Sequence, residues 1–325
     1  MVERNLAKVE VAGPSPVFRS RKRLPQGSLF VYIHSDMERI VLLTGAAGFL
    51  GRHLNKKLTD KGFCVKACSH SDLDITDSDS VRSVVTTIKP DYIVHCAAIS
   101  STSYAKEHPD ESYAVNVRGS VNLSQVCRSN GIPLFLMSSD QVYGGCELQG
   151  PLAEIPDPEQ PLLPNNTYGE HKLMMESKVL ETMPDAVLLR LSWMYENFNP
   201  EQPHIDMVSN ILRAIKEGNT IKCSTREYRA VTDVDDVCDN IILSFDTLPG
   251  GVYNFGSRNT RTTFETMTRI AAATGIPEKI FIPDDSWGRN LSMDCSKAER
   301  YGIRFPDTET GLVKVLEQYF RPIPE

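Results

Sequence analysis

No apolar run in this 325-residue chain approaches the ~18 residues needed to cross a bilayer, which argues against a membrane partner. The first 36 residues also lack the continuous apolar stretch of a secretion signal. They carry a basic cluster (Arg19, Arg21, Lys22, Arg23) and two prolines, Pro14 and Pro16, while Glu3 and Glu10 argue against a transit peptide. Met37 stands directly before the first strong strand, so residues 1–37 read as an N-terminal extension without assigned chemistry. Basic surplus is missing too. The formal charge is −7 and the pI about 5.6, against the basic surface that duplex binding needs. The eight cysteines include no CxxC pair and no Cys/His ligand spacing, so they read as reduced packing residues in a cytoplasmic protein, with no metal site expected. Internal repeats and low-complexity tracts are absent.

What is present is an alternation of strands and helices from residue 39 onward. Short aliphatic and β-branched runs at 40–43, 63–68, 91–98, 133–139 and 186–192 read as strands. Amphipathic spacing predicts helices over 49–58, 78–88, 110–130 and 167–183. Strands alternating with helices imply an α/β fold, a doubly wound parallel sheet of the Rossmann kind. The stretch 144–166 carries Pro151, Pro156, Pro158, Pro161 and Pro164 without periodicity, and reads as a surface loop over the site. Beyond about 195 the pattern is mixed, with helices predicted at 204–217, 234–246, 263–274 and 308–320. The division expected is a dinucleotide-binding domain over 38–195 and a smaller, mostly substrate-binding α/β lobe over 196–325, interleaved with the first.

The stretch IVLLTGAAGFLG (40–51) joins a strand to a helix and spaces Gly45, Gly48 and Gly51 as GxxGxxG. The first glycine permits a tight turn, the second lets backbone approach a pyrophosphate, and the third allows helix to pack closely on strand. With Phe49 and Leu50 opening the helix, this turn presents free amides and a positive dipole end to phosphate. The context of strand before and helix after is the one dinucleotide binding requires. The acid that normally clamps the adenosine ribose is missing, since Cys68, Ser69, His70 and Ser71 fill the end of the second strand and no acid precedes Asp72. With Lys66 and Arg52 as candidate partners of a 2′-phosphate, the reading leans to NADP over NAD.

NTYGEHKLMMES (166–177) sets Tyr168 and Lys172 four apart, on one helix face. A neighbouring ammonium favours phenolate, so Lys172 is expected to lower the Tyr168 pKa and ready it for proton transfer. Ser139 ends the fourth strand, where its hydroxyl can hold a carbonyl; its alternative is a strand-end cap.

The order of glycine turn, strand-end serine and Tyr/Lys pair resembles the short-chain dehydrogenase/reductases. DLDIT (72–76), CAA (96–98), Asn116 in YAVNVRGS and VYG (142–144) resemble the extended branch. The resemblance implies that Asp74 and Ile75 contact adenine, that Ala97, Ala98 and Asn116 line the dinucleotide, and that Tyr168 and Lys172 hold its nicotinamide end. Asn116 also fits a helix kink. LRLSWMY (189–195) and RNLSMDCSKAERYGI (289–303) look like segments of the dTDP-4-dehydrorhamnose reductases, over roughly residues 38–320. That likeness implies Ser139, Tyr168 and Lys172 as catalytic residues, and Ser139, Asp140, Gln141, Trp193, Arg229 and Arg289 as substrate contacts. A core position is the commoner fate of a tryptophan after a strand, and either arginine also fits the bracing of carboxylates.

SDQVYG (139–144) departs from the SDEVYG of related 4,6-dehydratases, and Gln141 is an amide that cannot serve as their base. Ser103 and Tyr104 replace an acid–base pair of the reductases. Ketone reduction needs neither group. The expected function is NAD(P)H-dependent reduction of a nucleotide-linked 4-keto-6-deoxy sugar, as in dTDP-rhamnose synthesis, by a soluble protein with a homodimer left open. The alternatives are a nucleotide-sugar epimerase and a dinucleotide-binding regulatory subunit resembling the β subunit of methionine adenosyltransferase, which shares the DCSK segment (294–297).

Overall fold

The computed structural model describes residues 38–147, 149–155, 162–197 and 204–320. The extension over 1–37 and the loop prolines Pro156, Pro158 and Pro161 lie outside them. Ile40–Thr44 forms β1, apolar on both sides because helices cover both faces of the sheet. Helix α1 (Phe49–Asp60) buries Leu50, Leu54 and Leu58 at a four-residue spacing. Strand β2 (Cys64–Cys68), α2 (Ser78–Ile88) and β3 (Tyr92–His95) follow.

One short helix, α3 (Thr102–Glu107), precedes the expected one, which opens as α4 (Pro109–Tyr113). The break falls at His108, which the following proline drives out of helical geometry (φ −127°, ψ 62°). A π-helical turn, Ala114–Gly119, leads into α5 (Ser120–Asn130), which Gly131 ends in a left-handed conformation. Strand β4 (Leu134–Ser139) runs straight into a 3₁₀ turn, Asp140–Tyr143. Helix α6 (Thr167–Thr182), β5 (Val187–Leu191), β6 (Trp193–Tyr195), α7 (Met207–Glu217), β7 (Ile221–Arg229) and β8 (Val231–Asp233) come next. The chain closes with α8 (Val234–Thr247), β9 (Gly251–Phe255), α9 (Thr263–Thr274), β10 (Phe281–Leu291), α10 (Ser296–Glu299) and α11 (Thr308–Phe320).

The main sheet has the order β2-β1-β3-β4-β5-β9, and every pairing in it is parallel. Successive side chains of β1 serve opposite faces: Val41 and Leu43 pack with α1 and α8, and Leu42 packs with α2 and α5. The sixth strand, β9, comes from the second half of the chain, so the two halves interleave in one sheet. A third cluster joins α7, α9 and α11 to β7. The order reverses between β1 and β3, and a parallel sheet offers its ligand crevice at such a switch point, beyond the strands' carboxyl ends.

The described part of the proline-rich stretch is pinned rather than free. Leu152 is buried with Val142, Tyr143, Leu291 and Met293, and its amide donates to the Ser292 carbonyl at 2.8 Å.

Candidate active site

The crevice between β1 and β3 is built from backbone first. Gly45 takes φ +67°, and a Cβ there would lie 2.4 Å from the Ala97 amide nitrogen. A Cβ on Gly51 would lie 2.1 Å from the Gly45 carbonyl oxygen. These two glycines let the turn, the helix and the strand-end Ala97 meet. Gly48 differs, because its Cβ would meet only the Gly45 oxygen, at 3.2 Å. It caps α1 without a side-chain hydrogen bond, whereas side chains of Asp77, Asn166, Asp206, Asp233 and Thr262 cap α2, α6, α7, α8 and α9. The first-turn amides of α1, at Phe49, Leu50 and Gly51, therefore have no side-chain acceptor, and no acid stands in that turn. This fits a pyrophosphate.

Other residues proposed around the dinucleotide are engaged locally. Asp74 Oδ1 accepts from the Thr76 amide at 2.9 Å and from the Thr76 hydroxyl at 2.7 Å. The Ile75 side chain is core, against Gly119, and its carbonyl accepts from Asn122 Nδ2 at 2.9 Å. Asn116 is fully buried on the π-helical turn, and its amide brackets the Ile99 backbone, accepting from N at 3.1 Å and donating to O at 2.9 Å. It holds the loop after Ala97 and Ala98, which are half-buried, so the kink reading describes its side chain. Asp72 turns back onto Ser69, accepting from its amide at 2.8 Å and its hydroxyl at 2.6 Å. Arg52 donates from one guanidinium nitrogen to both oxygens of Glu196, at 2.7 and 2.6 Å, and stacks over Phe49. Lys66 is exposed on β2. Tyr104 lies on α3, exposed, and donates to Glu111 at 2.8 Å.

Ser139, Tyr168 and Lys172 are all buried, at 8%, 8% and 3% exposure. The end of β4 carries the first and α6 the other two. Gly169, beside Tyr168, lets α6 approach the Gln141 carbonyl to within 2.5 Å of where a Cβ would stand. The expected charge effect is not what acts on Tyr168. Burial raises its pKa and the Asp140 charge raises it further, while Ser139 at its hydroxyl favours the phenolate. The Lys172 ammonium sits 5.7 Å from the Tyr168 ring centre and donates to the Met137 carbonyl at 2.8 Å. Its own pKa is lowered to about 8 by burial, against raising pulls from Cys96 and Glu176.

The proposed substrate residues converge on the same place. Asp140 is 2% exposed, with Oδ1 accepting from the Ser139 hydroxyl at 3.2 Å and from Gln141 Nε2 at 3.1 Å. Burial raises its pKa, while Arg229, Gln141, Arg289 and Ser139 pull it down. Gln141 Oε1 accepts from Asn166 Nδ2 at 3.1 Å and from Arg289 at 3.4 Å. Arg289 donates to the buried Glu227 at 2.8 Å, so it braces a carboxylate. Arg229 stacks over Trp193, 4.6 Å from guanidinium carbon to ring centre, and its buried Nε has no hydrogen-bond partner. Burial lowers its pKa.

Sequence reasoning missed the scaffold beneath these groups. Arg190 and Glu176 form a buried pair at 2.9 and 2.6 Å, and Glu176 accepts from Ser138 at 2.5 Å. Arg190 also donates to Tyr143 OH at 2.7 Å and to the Glu154 carbonyl at 2.8 Å. The signals were a lone arginine inside the apolar run of β5 and a glutamate four residues after Lys172 on one helix face. His95 bridges Thr44 (2.7 Å) and Ser120 (3.1 Å), and full burial lowers its pKa to about 3, so it is neutral. Glu227 gave no local signal. Among the described residues no helix is long and apolar enough to cross a membrane, and no group of His, Cys, Asp and Glu side chains has the arrangement of a metal site.

Glycine turn, switch point and the Ser/Tyr/Lys set define an extended short-chain dehydrogenase/reductase, within the NAD(P)-dependent oxidoreductases. The chain belongs to the family described as the RmlD substrate binding domain, whose model matches residues 38–320. It is 32% identical over 219 residues to a dTDP-4-dehydrorhamnose reductase of Streptomyces griseus, an alignment covering 66% of this chain and 69% of the relative. It is 29% identical over 283 residues to the methionine adenosyltransferase 2 subunit beta of Xenopus laevis, covering 82% and 83%. A crystal structure of dTDP-4-dehydrorhamnose reductase from Bacillus anthracis in complex with NADP is similar with a TM-score of 0.75 at 25% identity, covering 87% of this chain and 99% of that one.

Proposed function

We propose that this protein reduces a nucleotide-linked 4-keto-6-deoxy sugar with NADPH or NADH, as a dTDP-4-dehydrorhamnose reductase does. The observation that carries the reading is the burial of Ser139, Tyr168 and Lys172 together, beside the switch point and next to the Asp140–Arg229–Trp193 wall. The reduced nicotinamide supplies hydride to the carbonyl carbon. Tyr168 holds the proton that the carbonyl oxygen takes as it becomes a hydroxyl. Ser139, whose hydroxyl favours the Tyr168 phenolate, steadies that oxygen. Lys172, anchored on the Met137 carbonyl, offers its remaining donors to the ribose of the nicotinamide. Arg229 provides the cation for the substrate's diphosphate, which a guanidinium suits by its forked geometry.

The test follows absorbance of NADPH, then NADH, with dTDP-4-dehydrorhamnose and related 4-keto sugar nucleotides. Turnover on one of them supports the reading; tight dinucleotide binding without turnover on any would defeat it. The likeness to the methionine adenosyltransferase subunit, over most of both chains, favours a second reading as a dinucleotide-binding regulatory subunit. A pull-down that recovers one enzyme in fixed ratio would favour that reading.

A further inference from the structure

Helix α1, whose first-turn amides fit a pyrophosphate, is tied along its flank to the second half of the chain. His53 Nδ1 lies 3.7 Å from Asp235, and Lys57 pairs with Asp239 at 2.8 Å. Both acids stand on α8 with exposed side chains, and such pairs are screened and contribute little. Glu196 differs. Its side chain is 7% exposed, and it accepts from Arg52 at 2.7 and 2.6 Å and from His53 Nε2 at 2.8 Å. The first turn of α1 is gripped as well. The Phe49 ring stacks on His204 at 3.8 Å with the planes 12° apart, and Arg52 lies over the same ring at 5.1 Å.

Glu196 is fixed from the other side too. It directly follows β6, which pairs with β8 and, among the described residues, with no strand of the main sheet. Its amide donates to the buried Asp206, the cap of α7, at 3.1 Å. Trp193, at the other end of the short strand β6, stacks with Arg229 in the substrate wall. One buried carboxylate thus joins the turn that faces the dinucleotide to the strand that carries the wall. A buried charge resists separation from its partners, because separation leaves it uncompensated. Whatever orders Arg52 and Phe49 therefore also orders Glu196 and β6. We propose that Glu196 is a positioning residue that couples the two sides of the crevice, so that bound dinucleotide tightens binding of the nucleotide sugar. By linkage, the nucleotide sugar tightens the dinucleotide by the same factor. The gain arises because the second ligand meets a wall that the first has already ordered. This inference rests on the reductase reading and goes beyond it, since Glu196 takes no part in the chemistry.

The test measures the Kd of dTDP, which carries the diphosphate assigned to Arg229, by calorimetry on the full-length protein with and without saturating NADP+. The unaltered protein should bind dTDP about tenfold more tightly when NADP+ is present. Glu196→Ala should reduce that ratio to about twofold or less, with the Kd of each ligand alone changed by no more than about threefold. A merely structural role would weaken each ligand on its own. Glu196→Gln keeps an acceptor for Arg52 and His53 without the charge; it should give a ratio of about three to five, and it carries the test if the alanine variant does not fold. An equal dTDP affinity with and without NADP+ in the unaltered protein, or the full ratio retained in a folded variant, overturns the proposal and leaves the reductase reading intact. Coupling lost together with about tenfold weaker binding of NADP+ alone makes Glu196 a structural support, and also overturns it. Failure of the unaltered protein to bind dTDP under either condition defeats the nucleotide-sugar reading and the inference with it.

Discussion

The dinucleotide side and the substrate side of the crevice are built by different means. The first is backbone: a glycine turn, uncapped helix amides and strand ends from one continuous stretch, 40–51, closed by residues 96–98. The second is side chains brought from four distant segments, at 139–141, 193, 227–229 and 289, and held by buried charges bonded to one another. Backbone packed at Gly45 and Gly51 tolerates no added atom, whereas a side-chain wall tolerates exchange if every buried charge keeps a partner. The two sides should therefore fail differently when mutated.

Gly51→Ala gives the largest effect. Its Cβ would overlap the Gly45 carbonyl, so dinucleotide affinity should fall more than ~1000-fold and stability with it, since both α1 and the turn must move. Gly48→Ala meets only a 3.2 Å contact and should leave the melting temperature nearly unchanged while weakening NADPH binding, read by fluorescence titration. If Gly48→Ala destabilised as much as Gly51→Ala, the distinction between a packing glycine and an approach glycine would be lost.

Next comes the scaffold that joins the two sides. Arg190→Met leaves Glu176 buried and uncompensated, and should cost about 3–5 kcal/mol in denaturant unfolding. A smaller contrast lies inside the substrate wall. Arg289→Met strands Glu227 and should lose about 1–3 kcal/mol of stability. Arg229→Met removes a buried cation without a bonded partner at Nε; it should raise KM about tenfold or more with little loss of stability. Equal stability losses for the two arginines would contradict the assignment of one as brace and the other as ligand contact.

A further contrast is a pH dependence. Burial holds Lys172 near 8 in the folded protein, below its ordinary 10.5, so the unfolded chain binds more protons between those values. Its contribution is thus a penalty, present in full below pH 8 and relieved as pH rises through that window. Lys172→Met should raise the melting temperature at pH 7 by a few degrees, and the gain should shrink toward pH 10 in thermal scans.

The same contrast explains what could be read from the chain alone. Gly45, Gly48 and Gly51 were legible because spacing within a dozen residues fixes their backbone roles. Tyr168 and Lys172 were legible because four residues make one helical face. The strand alternation was legible, but its order was not: the position of β9 beside β5 depends on tertiary packing, and the π-helical turn at Asn116 has no period of its own. Partners of buried charges were the least legible. Arg289 and Glu227 lie 62 residues apart, and nothing local says which carboxylate an arginine will find. For the same reason the Arg52–Glu196 contact, between residues 144 apart, could not be read locally. The Tyr168 prediction erred on environment: a pairwise charge argument ignored the burial that dominates both groups.

The most direct test of the account is Tyr168→Phe, comparing NADPH affinity with the rate of NADPH oxidation on dTDP-4-dehydrorhamnose. The account predicts unchanged affinity and a rate lowered by roughly 10²–10⁴, the contribution of a positioned proton donor. A rate within about twofold of the unaltered protein, with affinity intact, would contradict it.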